Sequence, residues 1–505
     1  MQAMILRVLS SSNEQDLVFD PDKNLAQNLF GHGFLSNTFL CSGLGLCGQC
    51  SLRIYSGAPQ PSHRDREYFS QDELSQGWRL GCAHYPVPGL SLEVPARESR
   101  SEFSWQAVSQ PSALGVDIGT TTLKWGFVHP GGELSPGWSV NPQMGAGSEI
   151  MSRLAFAYES RDNYLLLQEV LLRELNRILD LSPSVPLVAV TGNPAVIHIL
   201  LGEDISGLIR YPYRLAWTGG EHVLLPGIGR EVFIPPLLSP FIGADISSGI
   251  VYLAHGESTE FPFLFCDLGT NGEMVLATAP EKFYSTSVAL GPALEGVGLR
   301  FGSPFGPGIA SGFQLSPQGI LPDVPDWNGL VSGSGYLSLL GILRKTGVMD
   351  PGGQLSPGAG PMARTVDLRQ GKVFLRDRFY LSGRDVEEIL KVKAAFTMGV
   401  DYLLQKTSMT VPDLSRIYLA GALGEHFRLQ DLDVLGFLPK GAVQKCRILG
   451  NASLKGALVL ARDAAAREWA GDLPQKVRDM ALAEDREYVN ANFFRHMRFE
   501  YPGSG

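Results

Sequence analysis

Charge is scarce in this sequence. Of its 505 residues only 18% are Asp, Glu, Lys or Arg, which argues against extended disorder. What charge there is leans acidic, with 51 carboxylates against 42 Lys and Arg and a formal net charge of −9. No Lys/Arg cluster overturns that balance, so nucleic acid is not an expected partner, because a phosphate backbone needs a concentrated basic face. Long apolar runs are missing too. A bilayer span needs about 18 or more apolar residues in a row, and stretches such as Leu237–Ile250 are broken by Pro, Gly, Ser and Asp. No membrane partner is expected. The opening MQAMILRVLSSSNEQDL lacks the h-region and cleavage site of a secretory signal, so the expected location is the cytoplasm. Six cysteines in so long a chain are too few for a disulfide scaffold. There is no G-x-x-x-x-G-K-[ST] segment, which excludes a Walker-type ATPase. Nor is there a convincing G-x-G-x-x-G fingerprint, since the glycine-rich Gly291–Gly312 lacks the strand–turn–helix context.

What is present falls into two parts. Apolar residues make up 44% of the chain, enough for several cores, and the length suggests two to four domains. Four of the six cysteines lie in the first 82 residues, as Cys41, Cys47, Cys50 and Cys82 in the pattern C-x5-C-x2-C-x31-C. Two irons need four thiolates, and three can come from one loop that wraps a cluster. Gly43, Gly45 and Gly48 allow the tight turns such a loop requires. The plant-type spacing is C-x4-C-x2-C, and the longer first gap resembles the adrenodoxin-like branch of [2Fe–2S] ferredoxins. Structural zinc also accepts four thiolates, but it usually pairs two C-x2-C knuckles, and one is present here. Ile5–Val8 with Leu17–Phe19 read as a hairpin, Asn24–Phe30 as a short helix, and Ser51–Tyr55 and Leu90–Val94 as closing strands. That order resembles a β-grasp ferredoxin over residues 1–97. Cys266 and Cys446 lie in apolar, strand-like runs and read as core residues.

Residues 98–112 are polar and Ser-rich and read as a linker. Directly after it an apolar strand delivers Asp117, followed by Gly119 and the hydroxyls of Thr120, Thr121 and Thr122. Backbone N–H groups and hydroxyls in such a turn can cradle phosphates, and the Asp can hold Mg²⁺ through water. An ordinary hairpin turn accounts for one such motif. A second copy, Asp267, Gly269, Thr270, Asn271 and Glu273, follows another apolar strand. Two copies are harder to assign to chance. A third piece, Ile417–Gly424, carries a strand into a turn containing Gly421 and Gly424 and can pack an adenine ring. Asp245 precedes the second copy and reads either as a catalytic carboxylate or as a helix N-terminal aspartate.

Three such pieces in this order resemble the actin-like superfamily of acetate and sugar kinases, chaperones and actin (the ASKHA, ribonuclease H-like fold). The resemblance implies a multidomain α/β protein with ATP between two lobes, here 113–245 and 246–470, with 471–505 as a C-terminal segment. By analogy with sugar kinases, Asp245 would orient a water against the γ-phosphate, with Asp267 and Glu273 as further catalytic carboxylates. The whole chain resembles the reductive activators of corrinoid proteins. The resemblance is carried by GVDIGTTT at 115–122, VTGNPAVIHILLG at 190–202, PFIGADI at 240–246, DLGTNGE at 267–273, GPALEG at 291–296, SGSGYL at 332–337, LAGALGEHF at 419–427, GNASLKGA at 450–457 and DREYVNANFF at 485–494. It implies a [2Fe–2S] cluster, ATP and Mg²⁺ as cofactors, and delivery of one electron that converts Co(II) to Co(I). The implied partners are a corrinoid protein (a methyltransferase corrinoid subunit or a corrinoid iron–sulfur protein) and a low-potential electron donor. A homodimer is expected by analogy. The chain departs from the family in its short linker, where members usually carry a sizeable domain, and in a Gly/Pro/Phe-rich Val297–Phe313. Competing readings are a small-molecule kinase with a redox-sensing ferredoxin, a reductase for another low-potential metalloprotein, and an ATP-gated binding module.

Overall fold

The computed structural model describes residues 4–10, 13–35, 40, 45, 48–95, 107–257, 259–357, 365–376, 379–421 and 427–502. Cys41, Cys47, Gly424 and most of the 98–112 linker lie outside these residues.

Alternation in the first strand sets the N-terminal domain. In β1 (Met4–Ser10), Leu6 and Val8 point inward while Ile5 and Arg7 face solvent, the period-2 signature of a half-buried strand. It pairs antiparallel with β2 (Asn13–Phe19). With β3 (Ser51–Ser56), β4 (Trp78–Leu80) and β5 (Ser91–Glu93) it completes a sheet of order β2-β1-β5-β3-β4, in which β1 and β5 run parallel. The helix Leu25–Gly31 packs Leu25 and Leu29 on that sheet. It starts where Asn24 and Gln27 cap each other reciprocally, satisfying two backbone donors that the first turn leaves open. A mixed five-stranded sheet with one crossing helix is a β-grasp arrangement.

The rest of the chain repeats one design. In the first lobe β6 (Ala113–Ile118), β7 (Thr122–Val128) and β8 (Leu134–Val140) form an antiparallel meander. Beyond β6 lie β9 (Val188–Gly192), β11 (Glu231–Ile234) and the edge strand β10 (Glu221–Leu224). In the second lobe β12 (Phe263–Leu268), β13 (Asn271–Ala279) and β14 (Lys282–Ala289) make the matching meander. Two short sheets follow it in the chain, β15 (Phe313–Ser316) with β16 (Gly319–Pro322), and β17 (Val366–Asp367) with β18 (Lys372–Arg376) and β19 (Phe379–Ser382). Then β20 (Arg416–Gly421) and β21 (Cys446–Gly450) extend the second large sheet beside β12 in parallel. The last strand, β22 (Val477–Asp479), closes its far edge against β14. Residues beyond 471 are therefore part of the second lobe's packing, and Lys393, buried in the helix Gly383–Lys406, holds the tail through the carbonyls of His496 and Glu500.

Two helices carry the junction between lobes. Ala244–Val251 and Ala452–Arg462 cross where Gly456 lies against the Ser248 backbone. Leu458, from the second helix, covers Gly115 of β6. The N-terminal domain docks on the first lobe through Phe30, which joins a core with Leu154, Phe156, Tyr164 and Ile199. Cys266 is fully buried in the second lobe, and Cys446 is half-buried there. Among the described residues no helix is long and apolar enough to cross a membrane.

Candidate functional site

A cavity of about 700 Å³ opens between the two large sheets. Asp117 and Asp267 enter it from equivalent places, each the penultimate residue of the first strand of its meander. After Asp117 the chain turns so tightly that Gly119 N–H donates to Thr122 O at 3.0 Å. A Cβ at Gly119 would stand 2.8 Å from that oxygen, so only glycine fits. Thr120, Thr121 and Thr122 line the cavity from this turn, and Gly269, Thr270 and Asn271 line it from the second. Gly421 ends β20 directly beside Leu268, with a φ of +88° and no room for a side chain against Asp267. Asp245 and Glu273 also face the cavity. Asp245 sits in the first turn of the helix Ala244–Val251 and accepts the Ile246 N–H at 2.9 Å. It is thus both a helix N-terminal carboxylate and a cavity wall.

The two hairpins differ in charge. Asp117 stands opposite Lys124 across β6 and β7, whereas Asp267 stands opposite Glu273 across β12 and β13. Opposite charges in such cross-strand pairs attract and like charges repel. Burial raises the Asp117, Asp245, Asp267 and Glu273 carboxyls above their usual range, and their mutual repulsion adds to the rise at the last three. Asp245 reaches about 7 and Asp267 about 8. Such a concentration of carboxylates calls for protons or a cation. Among the described residues no three of them stand close enough to form a ready metal cage.

Several residues of this cleft carry no role in the sequence reading. Asn451 and Ser453, at the start of the helix Ala452–Arg462, hold Asp117 from the other lobe at 2.7 and 3.0 Å. Both fall within GNASLKGA, so the motif flagged the segment but not the partner. Asn141 and the fully buried Arg153 brace the first turn through the carbonyls of Gly119 and Thr120. Arg153 Nη1 has no hydrogen-bond partner among the described residues. Lys124 and Glu295 also line the cleft. Glu295 belongs to GPALEG, yet only the fold shows what it touches.

The cysteine site is described at two of its four expected positions. Cys50 immediately precedes β3, Cys82 follows β4 by two residues, and Ser51 pairs with Leu80 across these strands. Gly81 N–H donates to Cys50 O at 2.9 Å, so residues far apart in sequence meet at one end of the sheet.

A ferredoxin-like β-grasp domain fused to a duplicated two-lobed fold, with paired turns facing one cleft, defines an actin-like ATPase with an electron-transfer domain. Family profiles place it further: residues 262–503 match the C-terminal ASKHA domain of RACo and residues 112–256 match the RACo middle region. The chain belongs to this family, the reductive activators of corrinoid proteins. It is 23% identical, over 97% of its length and 86% of the relative's, to the corrinoid activation enzyme RamQ of Eubacterium limosum. It is 25% identical to a [Co(II) methylated amine-specific corrinoid protein] reductase of Methanosarcina barkeri, over 61% of this chain and 62% of that one. A solved reductive activator for a corrinoid, iron-sulfur protein has the same fold, with a TM-score of 0.67, 21% identity and 98% of each chain covered.

Proposed function

We propose that this protein returns an inactive corrinoid protein from Co(II) to Co(I), using ATP to drive a one-electron reduction. The observation that carries this reading is the joining of a cysteine-bearing β-grasp domain to a cleft whose two hydroxyl-bearing turns come from different lobes. A phosphate chain bound to both turns would hold the lobes in one arrangement, which is how nucleotide can select between states of differing affinity for a partner. The need for ATP follows from the redox step. For one electron each 59 mV is about 1.4 kcal/mol, so an uphill gap of 100–200 mV needs roughly 2–5 kcal/mol.

Iron–sulfur and ATP are the cofactors of this reading. Cys50 and Cys82, with Cys41 and Cys47, would hold a [2Fe–2S] cluster, which when bound supplies one-electron transfer. Asp117 and Asp267 would hold Mg²⁺ through its waters, and the ion supplies charge neutralisation at the phosphates. Gly119 to Thr122 and Gly269 to Asn271 would cradle those phosphates, and Gly421, with Gly424 expected beside it, would border the adenine. Asp245, with a carboxyl near neutrality, is suited to orient the attacking water. Glu273, opposite Asp267 on the facing strand, would serve as a further catalytic carboxylate. The proposed setting is the cytoplasm, the electron source a low-potential donor, and the assembly a homodimer.

The test is anaerobic visible spectroscopy of the protein with a Co(II) corrinoid protein, a low-potential reductant and Mg-ATP. The Co(II) band should give way to the Co(I) band with ATP and persist without it. Cys50→Ala should abolish reduction and leave nucleotide binding intact, and Asp267→Ala should keep the cluster and lose hydrolysis. Cobalt reduction by the Cys50→Ala protein would sink the electron route.

A further inference from the structure

Glu295 lies at the end of a single turn, Pro292–Glu295, that follows β14. The chain before it is tied to the second phosphate-binding turn, because the N–H groups of Leu290 and Gly291 both donate to Thr270 O, at 3.1 and 2.8 Å. From there the carboxylate reaches across the cleft. Its Oε1 accepts the Thr270 hydroxyl at 3.0 Å, and its Oε2 accepts the Thr121 hydroxyl. One side chain thus joins the two turns, one from each lobe. Arg153, buried behind the first turn, adds an attractive positive charge. Gly291 and Gly296, with φ of +74° and +77°, bound the turn on both sides.

These hydroxyls are the donors assigned above to the phosphates of ATP, and a carboxylate is the protein's nearest imitation of a phosphate. We propose that Glu295 stands in for a nucleotide phosphate, joining the two turns and competing with ATP for Thr121 and Thr270. This rests on the reading of the cleft as an ATP site. When nucleotide binds, both hydroxyls pass to phosphate oxygens, and like charge drives the carboxylate away from them. Glu295 thus opposes ligands in proportion to the negative charge they bring to the two hydroxyls, ATP most and adenosine not at all. The two turns stay joined through Glu295 until phosphate displaces it.

The experiment measures Kd for Mg-ATP, Mg-ADP and adenosine by calorimetry on the intact, cluster-loaded protein and on Glu295→Gln and Glu295→Ala, together with kcat for hydrolysis. Removing the charge should tighten ATP about tenfold, tighten ADP less and leave adenosine unchanged. The melting temperature of nucleotide-free Glu295→Ala should fall below that of wild type, and the difference should narrow at saturating ATP. Unchanged or weaker ATP binding in the Gln variant would overturn the proposal. So would a fall in kcat at constant Kd, which would make Glu295 a catalytic residue, or an equal change for adenosine, which would mark a general loss of structure. If wild type bound no ATP, the ATP-site reading itself would fail, a result distinct from all of these.

Discussion

Asp65 is fully buried in the N-terminal domain, with its carboxylate wrapped in hydrogen bonds. It accepts the Ser62 N–H and hydroxyl at 2.7 Å and the Leu80 N–H at 2.8 Å, and bonds a His84 ring nitrogen at 2.6 Å. Burial alone would raise its carboxyl, but these bonds together outweigh it and hold the group at about 2. A carboxyl held below its unfolded value stabilises the fold above about pH 4, and that contribution is lost as pH falls toward 2. Asp65→Asn should cost on the order of 3 kcal/mol at neutral pH, because the amide sets a donor against donors. It should also flatten the acid limb of a pH–stability curve followed through cluster absorbance. The cleft behaves in the opposite sense. Asp267, raised to about 8 by burial and then by Asp245 and Asp117, binds its proton more tightly folded than unfolded. Nucleotide-free stability should therefore fall as pH rises from about 4 to about 8. Asp267→Asn should melt a few degrees higher than wild type at pH 8 while losing hydrolysis, the usual trade of stability for function. An unchanged or lower melting temperature would contradict the assigned burial.

The helix Ala452–Arg462 joins packing to chemistry. Its first turn holds Asp117, and its middle presses on the helix Ala244–Val251, where a Cβ at Gly456 would stand 2.8 Å from Ser248 Cα and closer still to its carbonyl. Alanine gains about 1 kcal/mol over glycine in an exposed helix. Here the obstacle is backbone, which cannot rotate away, and overpacking costs roughly 1–3 kcal/mol or more. Gly456→Ala should therefore destabilise, seen as a lower denaturant midpoint. ATP hydrolysis should fall with it, since Asn451 and Ser453 shift with the helix. A midpoint at or above wild type would mean that the two helices can part without loss.

At the scale of the molecule, the N-terminal domain is held across both lobes. Phe30 meets Phe156 edge-on at 6.3 Å in the first lobe, and Lys23 reaches Asn163 at 3.2 Å. From the second lobe, Arg300 donates to Glu67 O at 3.2 Å. Truncating a well-buried Phe to Ala costs about 3–5 kcal/mol, more than the two polar contacts can offset. Phe30→Ala should therefore release the domain, giving a larger radius of gyration by solution scattering. The cluster spectrum and basal ATP hydrolysis should remain. An unaltered scattering curve would show that the docking does not depend on this side chain.

Much of this protein was legible in the chain itself because its signals are local. Alternating apolar residues mark β1, and a strand ending in Asp followed by Gly and hydroxyls marks both turns, since each pattern is dictated by the pleat or by the φ and space available within a few residues. Of the four spaced cysteines, the two described, Cys50 and Cys82, lie at one end of the first sheet. What sequence could not disclose is which residues meet over long separations. Thr121 and Glu295 are 174 residues apart, and Asp117 and Asn451 are 334 apart. Their pairing follows from two sheets closing on one cleft, and no period or spacing in the chain encodes it. The same closure gathers carboxylates whose burial and mutual repulsion shift their protonation, and it turns Phe30 from a helix-end residue into an anchor between domains. Local chemistry was written in the sequence. The distances and dielectric that give that chemistry its strength belong to the tertiary structure alone.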